Sequence, residues 1–208
     1  QRFAAAQGCS ELQSWDLGYY GEKLRQQRYS IAQEQVRAWF PIDKVLSGLF
    51  AIVQKLYGIQ IKELSGFDTW HADVRLFEIT ENGQPLGRFF FDLYARANKR
   101  GGAWMDGARD QRRNACGQLI SPVANLVCNF TPAVNGQPAL LTHDEVTTLF
   151  HEFGHGLHHL LTEVEHAGAS GINGVAWDAV ELPSQFMENW CWEPEGLALI
   201  SAHFETGE

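Results

Sequence analysis

The pentapeptide His151-Glu152-Phe153-Gly154-His155 constrains this 208-residue chain more than any other feature. Residues four apart lie about 40° apart around a helix axis, so both imidazoles can reach one ion only if the segment is helical. The glutamate then faces a neighbouring sector, from which it can act on a water molecule without being a ligand. This H-E-x-x-H pattern is typical of a zinc hydrolase, and it requires a helix.

The surrounding residues predict such a helix. Thr142 and Glu145 have the spacing of a capping box, which marks a helix start. Apolar residues then recur at helical spacing on one face. They are Val146, Leu149, Phe150, Phe153, Leu157, Leu160 and Leu161. His151 and His155 fall on the opposite side, and Glu152 lies between the two faces.

A second predicted helix offers carboxylates for the same site, because catalytic zinc usually has three protein ligands. The helix starts near Asp178 or Val180. Pro183 is tolerated only in a first turn, which places Glu181 close to the helix start. Glu188 lies two turns further on and faces nearly the same way. One carboxylate could bind the metal, and the other could orient a ligand histidine from the second layer of residues around the metal.

The alternative interpretation of this carboxylate pair is a solvated acidic helix face, which the pair alone favours. Large apolar residues on the same helix predict instead that it is well buried, and a buried carboxylate needs a partner such as a metal. These apolar residues are Leu182, Phe186, Trp190 and Trp192.

Other histidines are weaker ligand candidates. His158 shares the helix side of His151 and His155, but ligands at i, i+4 and i+7 spread over roughly 10 Å of axis, too far for one ion with bonds of about 2 Å. His158 and His159 are therefore assigned to cleft lining or hydrogen bonding. The remaining histidines are expected at the surface or satisfied in the interior. They are His71, His143, His166 and His203.

Longer motifs carry a resemblance to a known family. The segments FHEFGHGLHH at 150–159 and ELPSQFMENW at 181–190 resemble the thimet oligopeptidase family of zinc peptidases. Residues 91–96, 99–105 and 141–145 also resemble that family, so the resemblance runs over essentially the whole chain. Motifs of this length and order are highly specific.

That resemblance implies roles for individual residues. His151, His155 and Glu181 would bind one zinc ion per chain, and Glu152 would be the catalytic base. Glu188 matches a family carboxylate that would act from the second layer around the metal. The expected reaction is hydrolysis of short peptides by a metalloendopeptidase, in which Glu152 takes a proton from water and passes it to the leaving amine.

The resemblance also implies a longer protein, because members of the family are far longer than 208 residues. We expect this chain to be an excised piece of the catalytic region. Residues 1–60 would be a helical arm, and residues 61–208 a zincin-type core truncated at its C-terminal side. The alternative function is then a zinc-binding fragment that lacks the substrate-orienting segment. A third hypothesis is a helical scaffold whose H-E-x-x-H pattern is incidental.

Charge and composition exclude several classes of partner. The net charge of −9 argues against binding to nucleic acid or to an acidic membrane surface. No apolar run reaches the length of about 20 residues that a membrane-spanning helix needs. The four cysteines lie far apart and are expected to be reduced, mostly buried thiols. They are Cys9, Cys116, Cys128 and Cys191. We expect a cytoplasmic protein, with a monomer favoured.

The predicted fold class is α+β: a mainly helical, zincin-type catalytic region with a small β-sheet packed on the zinc-binding helix. Predicted helices in the arm run from Trp15 to Tyr29, from a capping box at Ser30 to before Pro41, and from Ile42 to Tyr57. Predicted strands are 74–80 and 87–94, joined by an Asn-Gly hairpin turn, and 122–130. One of these three strands is expected to pair with an extended substrate.

Overall fold

The computed structural model describes residues 1–29, 33–134 and 136–208 and shows an α+β fold, as predicted. The helices are α1 (Arg2–Ala6), α2 (Asp16–Tyr29), α3 (Gln33–Arg37), α4 (Ile42–Tyr57), α5 (His143–Leu160), α6 (Leu182–Glu188) and α7 (Pro194–Ile200). The strands are β1 (Gln60–Leu64), β2 (Arg75–Glu81), β3 (Gln84–Tyr94), β4 (Trp104–Arg109), β5 (Arg112–Arg113), β6 (Leu119–Ile120) and β7 (Val123–Phe130).

The helical arm follows its local signals. The helix α4 begins directly after Pro41 and ends at Gly58, whose φ of 71° is the left-handed conformation that glycine adopts readily at a helix end. The predicted helix from Trp15 begins one residue later, at Asp16. The capping box predicted at Ser30 lies outside the described residues. The division of the chain at residue 60 stays a prediction.

The main sheet has the strand order β1-β2-β3-β7-β4. The predicted hairpin is confirmed: β2 and β3 are antiparallel, and Asn82 and Gly83 between them both have the positive φ that a tight hairpin turn requires. The strand β7 pairs in parallel with β3 and antiparallel with β4. The sequence analysis did not predict β1 or β4.

This strand order corrects the expectation about substrate pairing. The strands β2, β3 and β7 each have a neighbour on both sides, so their backbone groups are already used within the sheet. The three strands named from the sequence are therefore the wrong ones. The strands β1 and β4 form the two edges of the sheet, and β4 is the edge beside α5.

A cluster of phenylalanine rings joins the sheet to the helices. The ring of Phe153, within the H-E-x-x-H segment, lies 5.4 Å from Phe89 and 5.9 Å from Phe91 between centroids. Phe50 of α4 packs against Phe77 at 5.4 Å. Burial of each ring contributes roughly 2–3 kcal/mol. Because Phe153 is fixed in this core, the rotation of α5 about its axis is fixed too.

The helix α6 is not the buried helix that its apolar residues predicted. Leu182 is 70% exposed and Phe186 43%, and Trp192, beyond the end of α6, is 67% exposed. Trp190 is half-buried against the core, and Ser184 and Met187 are the buried residues of α6. This short helix contacts α5 through one side only, and most of its large apolar residues lie on the other side. The prediction that the neighbourhood of Glu181 is well buried was therefore wrong.

Two further predictions concerned membrane-spanning helices and the cysteines. No described helix combines the length and the apolar character needed to cross a membrane. All four cysteines are free thiols, as predicted, but only Cys128 and Cys191 are buried. Cys9 is half-buried and Cys116 is exposed.

Candidate metal centre

The helix α5 carries the predicted histidines in its middle. It begins with the predicted capping box: the Glu145 main-chain N–H donates to the Thr142 hydroxyl at 3.1 Å, and the Thr142 N–H donates to the Glu145 carboxylate at 2.8 Å. With Phe153 in the core, His151 and His155 lie on a different side of the helix. Their rings are 4.9 Å apart between centroids and nearly perpendicular.

A glycine lets α6 approach α5 at this point. A Cβ atom at Gly154 would lie 2.6 Å from both the Pro183 carbonyl oxygen and the Ser184 Cα atom, closer than real Cβ contacts. The absence of a side chain therefore sets the separation of the two helices. Pro183 lies in the first turn of α6, as predicted, and Glu181 is the residue just before that helix.

Three ligand atoms converge where the helices meet. Oε2 of Glu181 lies 3.1 Å from Nε2 of His151 and 3.0 Å from Nε2 of His155. Ligand atoms of a tetrahedral zinc ion with bonds of about 2 Å lie roughly 3.3 Å apart. The three side chains thus fit one metal ion, and all their ligand atoms lie within 4.8 Å of one another. His158 is not part of this group, as predicted.

Two further side chains orient these ligands. Nδ1 of His151 donates to Oε1 of Glu188 at 2.6 Å, which leaves Nε2 of that ring with a free lone pair for a metal. The Ser184 hydroxyl donates to Oε2 of Glu181 at 2.8 Å. This hydrogen bond is the main reason why the pKa of Glu181 is lowered, and the nearby histidines lower it further.

Glu152 lies between α5 and the edge strand β4. The side chain is buried, with 6% exposure, and burial raises its pKa. The negative charge of Glu181 also raises that pKa, whereas His151 and a hydrogen bond from the Met105 main-chain N–H lower it. A carboxylate held in this way beside the three ligands is suited to accept a proton.

His155 is the more buried of the two candidate ligand histidines. Burial lowers its pKa, which favours the neutral imidazole that binds metals. Its Nδ1 atom is buried and has no hydrogen-bond partner among the described residues.

The neighbouring histidines take the roles predicted for them. His158 lines a cavity of about 450 Å³ between α5 and α6. His159 is fully buried, and its Nε2 atom lies 3.1 Å from the Arg109 carbonyl oxygen. His143 is satisfied by the Cys191 carbonyl oxygen at 2.8 Å.

Sequence reasoning missed three features of this site. Ser184 carried no pattern of its own. The contact from Met105 required knowledge that 104–109 is a strand beside α5. Gly154 was visible in the sequence: a glycine in the middle of a strongly amphipathic helix is unfavourable, and its presence indicates a close approach of another element.

The chain is similar to known peptidases over essentially its whole length. Residues 1–208 match the family described as Peptidase family M3. The chain is 63% identical to oligopeptidase A of Escherichia coli (strain K12), over 99% of this chain and 31% of that protein. It is 38% identical to the dipeptidyl carboxypeptidase of the same organism, over 97% of this chain and 29% of that protein.

A more distant relative agrees with the family resemblance found in the motifs. The chain is 35% identical to the thimet-like oligopeptidase of Dictyostelium discoideum, over 92% of this chain and 29% of that protein. The chain thus spans less than a third of the length of these relatives. Because the family match covers every residue, the chain belongs to peptidase family M3.

Proposed function

We propose that this chain carries the catalytic centre of a zinc-dependent metalloendopeptidase that hydrolyses short peptides. The observation that carries the proposal is the convergence of three side chains, with Glu152 beside them: Oε2 of Glu181 lies about 3 Å from Nε2 of both His151 and His155, and all the ligand atoms lie within 4.8 Å of one another. Two imidazoles and one carboxylate form a common protein ligand set of a catalytic zinc ion, which keeps one position open. The three residues would hold one ion per chain.

The ligands and the base divide the chemistry between them. A bound zinc ion supplies Lewis acidity and lowers the pKa of water that reaches it. Glu152 accepts the proton from that water and returns it to the leaving amine, acting as general base and then as general acid. Burial prepares Glu152 for this task by raising its pKa, and the Met105 N–H partly offsets that rise.

The edge strand β4 supports a mode of substrate binding. Its outer edge has no partner strand in the described sheet, and Met105 within it contacts Glu152. An extended peptide that adds to β4 would therefore lie beside the base. Main-chain hydrogen bonds do not read side chains, so such pairing favours broad specificity.

The partners follow from charge and cysteine chemistry. We propose short peptides as substrates and no nucleic-acid partner, because the net charge is −9. Free thiols at all four cysteines support a cytoplasmic location and argue against an oxidising compartment. A monomer stays our prediction.

A chelation experiment on the full-length protein tests this function. We expect an internally quenched fluorescent peptide to be cleaved, cleavage to stop with a chelator, and zinc to restore it. Mass spectrometry of the products separates internal cleavage from removal of C-terminal dipeptides, the activity named for one relative. Zinc binding without cleavage would contradict peptide hydrolysis and leave a zinc-binding module, and a folded protein without zinc would support the plain scaffold.

A further inference from the structure

We propose that His159 is a positioning residue that anchors β4 to α5 and thereby holds Glu152 in its working orientation. The inference rests on the proposed function, because it assigns the anchor a consequence for turnover. His159 lies seven positions after Glu152 on the same helix. Among the described residues, its hydrogen bond goes to Arg109 and not to any of the three candidate metal ligands.

The first contact is a hydrogen bond to the end of β4. Nε2 of His159 lies 3.1 Å from the carbonyl oxygen of Arg109, the last residue of that strand. A carbonyl oxygen only accepts, so Nε2 carries the proton and donates. The pairing of β4 with β7 shifts register between Gly107 and Arg109. The hydrogen bond therefore secures the strand where its ladder is irregular.

The second contact is direct packing on the strand backbone. A Cβ atom at Gly107 would lie only 2.8 Å from Cε1 of His159, so the ring occupies the space of the missing side chain. On another side, a Cβ at Gly171 would lie 2.7 Å from Nδ1. Gly171 belongs to the segment that joins α5 to α6. The fully buried ring is thus clamped between β4 and that segment.

These contacts act on Glu152 through the strand. Met105 lies two residues before Gly107 on the strand that contacts α5, and its backbone is the part of β4 that acts on the Glu152 carboxylate, whose pKa it lowers. Glu152 and His159 are seven residues apart on α5, which is roughly 10 Å along the helix. Met105 and Arg109 are four residues apart on β4, which is roughly 13 Å along the strand. The two contacts between these elements are therefore similarly spaced along both. Because β7 supports β4 from one side only, α5 provides the remaining restraint.

Loss of the anchor should therefore lower kcat and leave the metal in place. In the full-length, zinc-loaded protein we expect His159→Leu to lower kcat at least ten-fold, because a displacement of about 1 Å near a reacting group is costly. The zinc content should stay at that of the wild type, since the proposed ligands lie on α5 and beside α6. His159→Gln should recover most of kcat, because its amide can donate from a similar position.

A second variant tests the anchor without altering the histidine. Gly107→Ala places a methyl group against the ring and should displace β4, with the same loss in kcat. Gly101→Ala is the matched control, because a Cβ there meets open space. Hydrogen exchange of the amides in 104–109 should accelerate in His159→Leu and Gly107→Ala, and stay unchanged in His159→Gln and Gly101→Ala.

The outcomes separate this inference from the proposed function. Faster exchange in β4 with an unchanged kcat would overturn the inference, and so would loss of zinc from His159→Leu. An unchanged exchange rate in both His159→Leu and Gly107→Ala would overturn the anchor itself. A zinc-loaded wild type without peptidase activity would instead overturn the proposed function, and the exchange rates would still report whether His159 anchors β4.

Discussion

The nitrogen that His151 offers to a metal is decided by a single contact. Nδ1 of His151 is occupied by Glu188 at 2.6 Å, so only Nε2 faces Glu181. Nothing in the sequence states which ring nitrogen is used. Spacing nevertheless placed each pair, 151 with 155 and 181 with 188, on one face of a helix or its flanking turn. The need of zinc for a third ligand and the family resemblance predicted that the two pairs would meet.

Glu188→Gln tests the hydrogen bond between Glu188 and the candidate ligand His151. The substitution keeps an oxygen that can accept from His151 but removes the negative charge that makes the imidazole a stronger ligand. We expect the zinc affinity to fall about 10- to 100-fold, measured by competition with a chromophoric chelator. Glu195→Gln, at an exposed position of α7, is the control and should bind zinc as the wild type does. An unchanged affinity of Glu188→Gln would show that this contact does not tune the metal site.

At the scale of elements, the crossing of α5 and α6 brings Glu181 to the histidines. Gly154→Ala should force the helices apart, because its Cβ would lie 2.6 Å from backbone atoms of Pro183 and Ser184. We therefore expect weaker zinc binding, measured by isothermal titration. Gly156→Ala is the matched control: the three atoms nearest to its Cβ belong to the Leu126 side chain, the closest at 3.1 Å, and none of them is a backbone atom. Equal zinc affinities for the two variants would contradict this account.

A buried ammonium group holds the ends of β3 and β7 together. Lys99 donates to Asp92 and to the carbonyl oxygens of Tyr94 and Cys128, where the pairing of the strands shifts register. Lys99→Met should lower the free energy of unfolding by about 3 kcal/mol, because it leaves buried polar groups without their partner. Denaturant titration measures this loss. Lys62→Met, at an exposed position on β1, is the control and should change the free energy of unfolding by less than about 0.5 kcal/mol. A similar loss of stability in both variants would refute the role of Lys99.

Short sequence patterns predicted the helices and turns whose form depends on residues close by in the chain. The capping box and apolar stripe predicted α5, Gly58 predicted the end of α4, and Asn82-Gly83 predicted the hairpin. The strand β4 has the sequence WMDGAR, which contains residues unfavourable in strands and is mostly exposed. Its extended form depends on pairing with β7, which follows later in the chain, so no local pattern revealed it or its contact with Glu152.

For the molecule as a whole, Asp92 links stability to pH. Burial alone would raise its pKa, but hydrogen bonds from Arg96, Lys99 and Trp70 outweigh burial and hold that pKa well below its usual range. The pKa in the folded state is thus lower than in the unfolded chain, where it is about 3.9. The stabilisation is complete above about pH 5 and is lost as the pH falls through the unfolded-state pKa towards the folded-state pKa.

Asp92→Asn isolates this effect. The free energy of unfolding should be lower in the variant at neutral pH, and the difference from the wild type should shrink between about pH 4 and pH 2. Chemical denaturation across that range measures the difference. Asp68→Asn, at an exposed position, should show no such change. A difference for Asp92→Asn that is constant with pH would contradict the linkage.

The central claim is that Glu152 moves protons for a metal ion that other residues hold. The most direct test measures zinc content and peptide turnover of Glu152→Gln beside the wild type, in the full-length protein. We predict one zinc ion per chain in both proteins and a kcat lower by about 10²- to 10⁴-fold in the variant, since the base is lost and the ligands remain. A Glu152→Gln protein that keeps near-normal kcat would contradict the account.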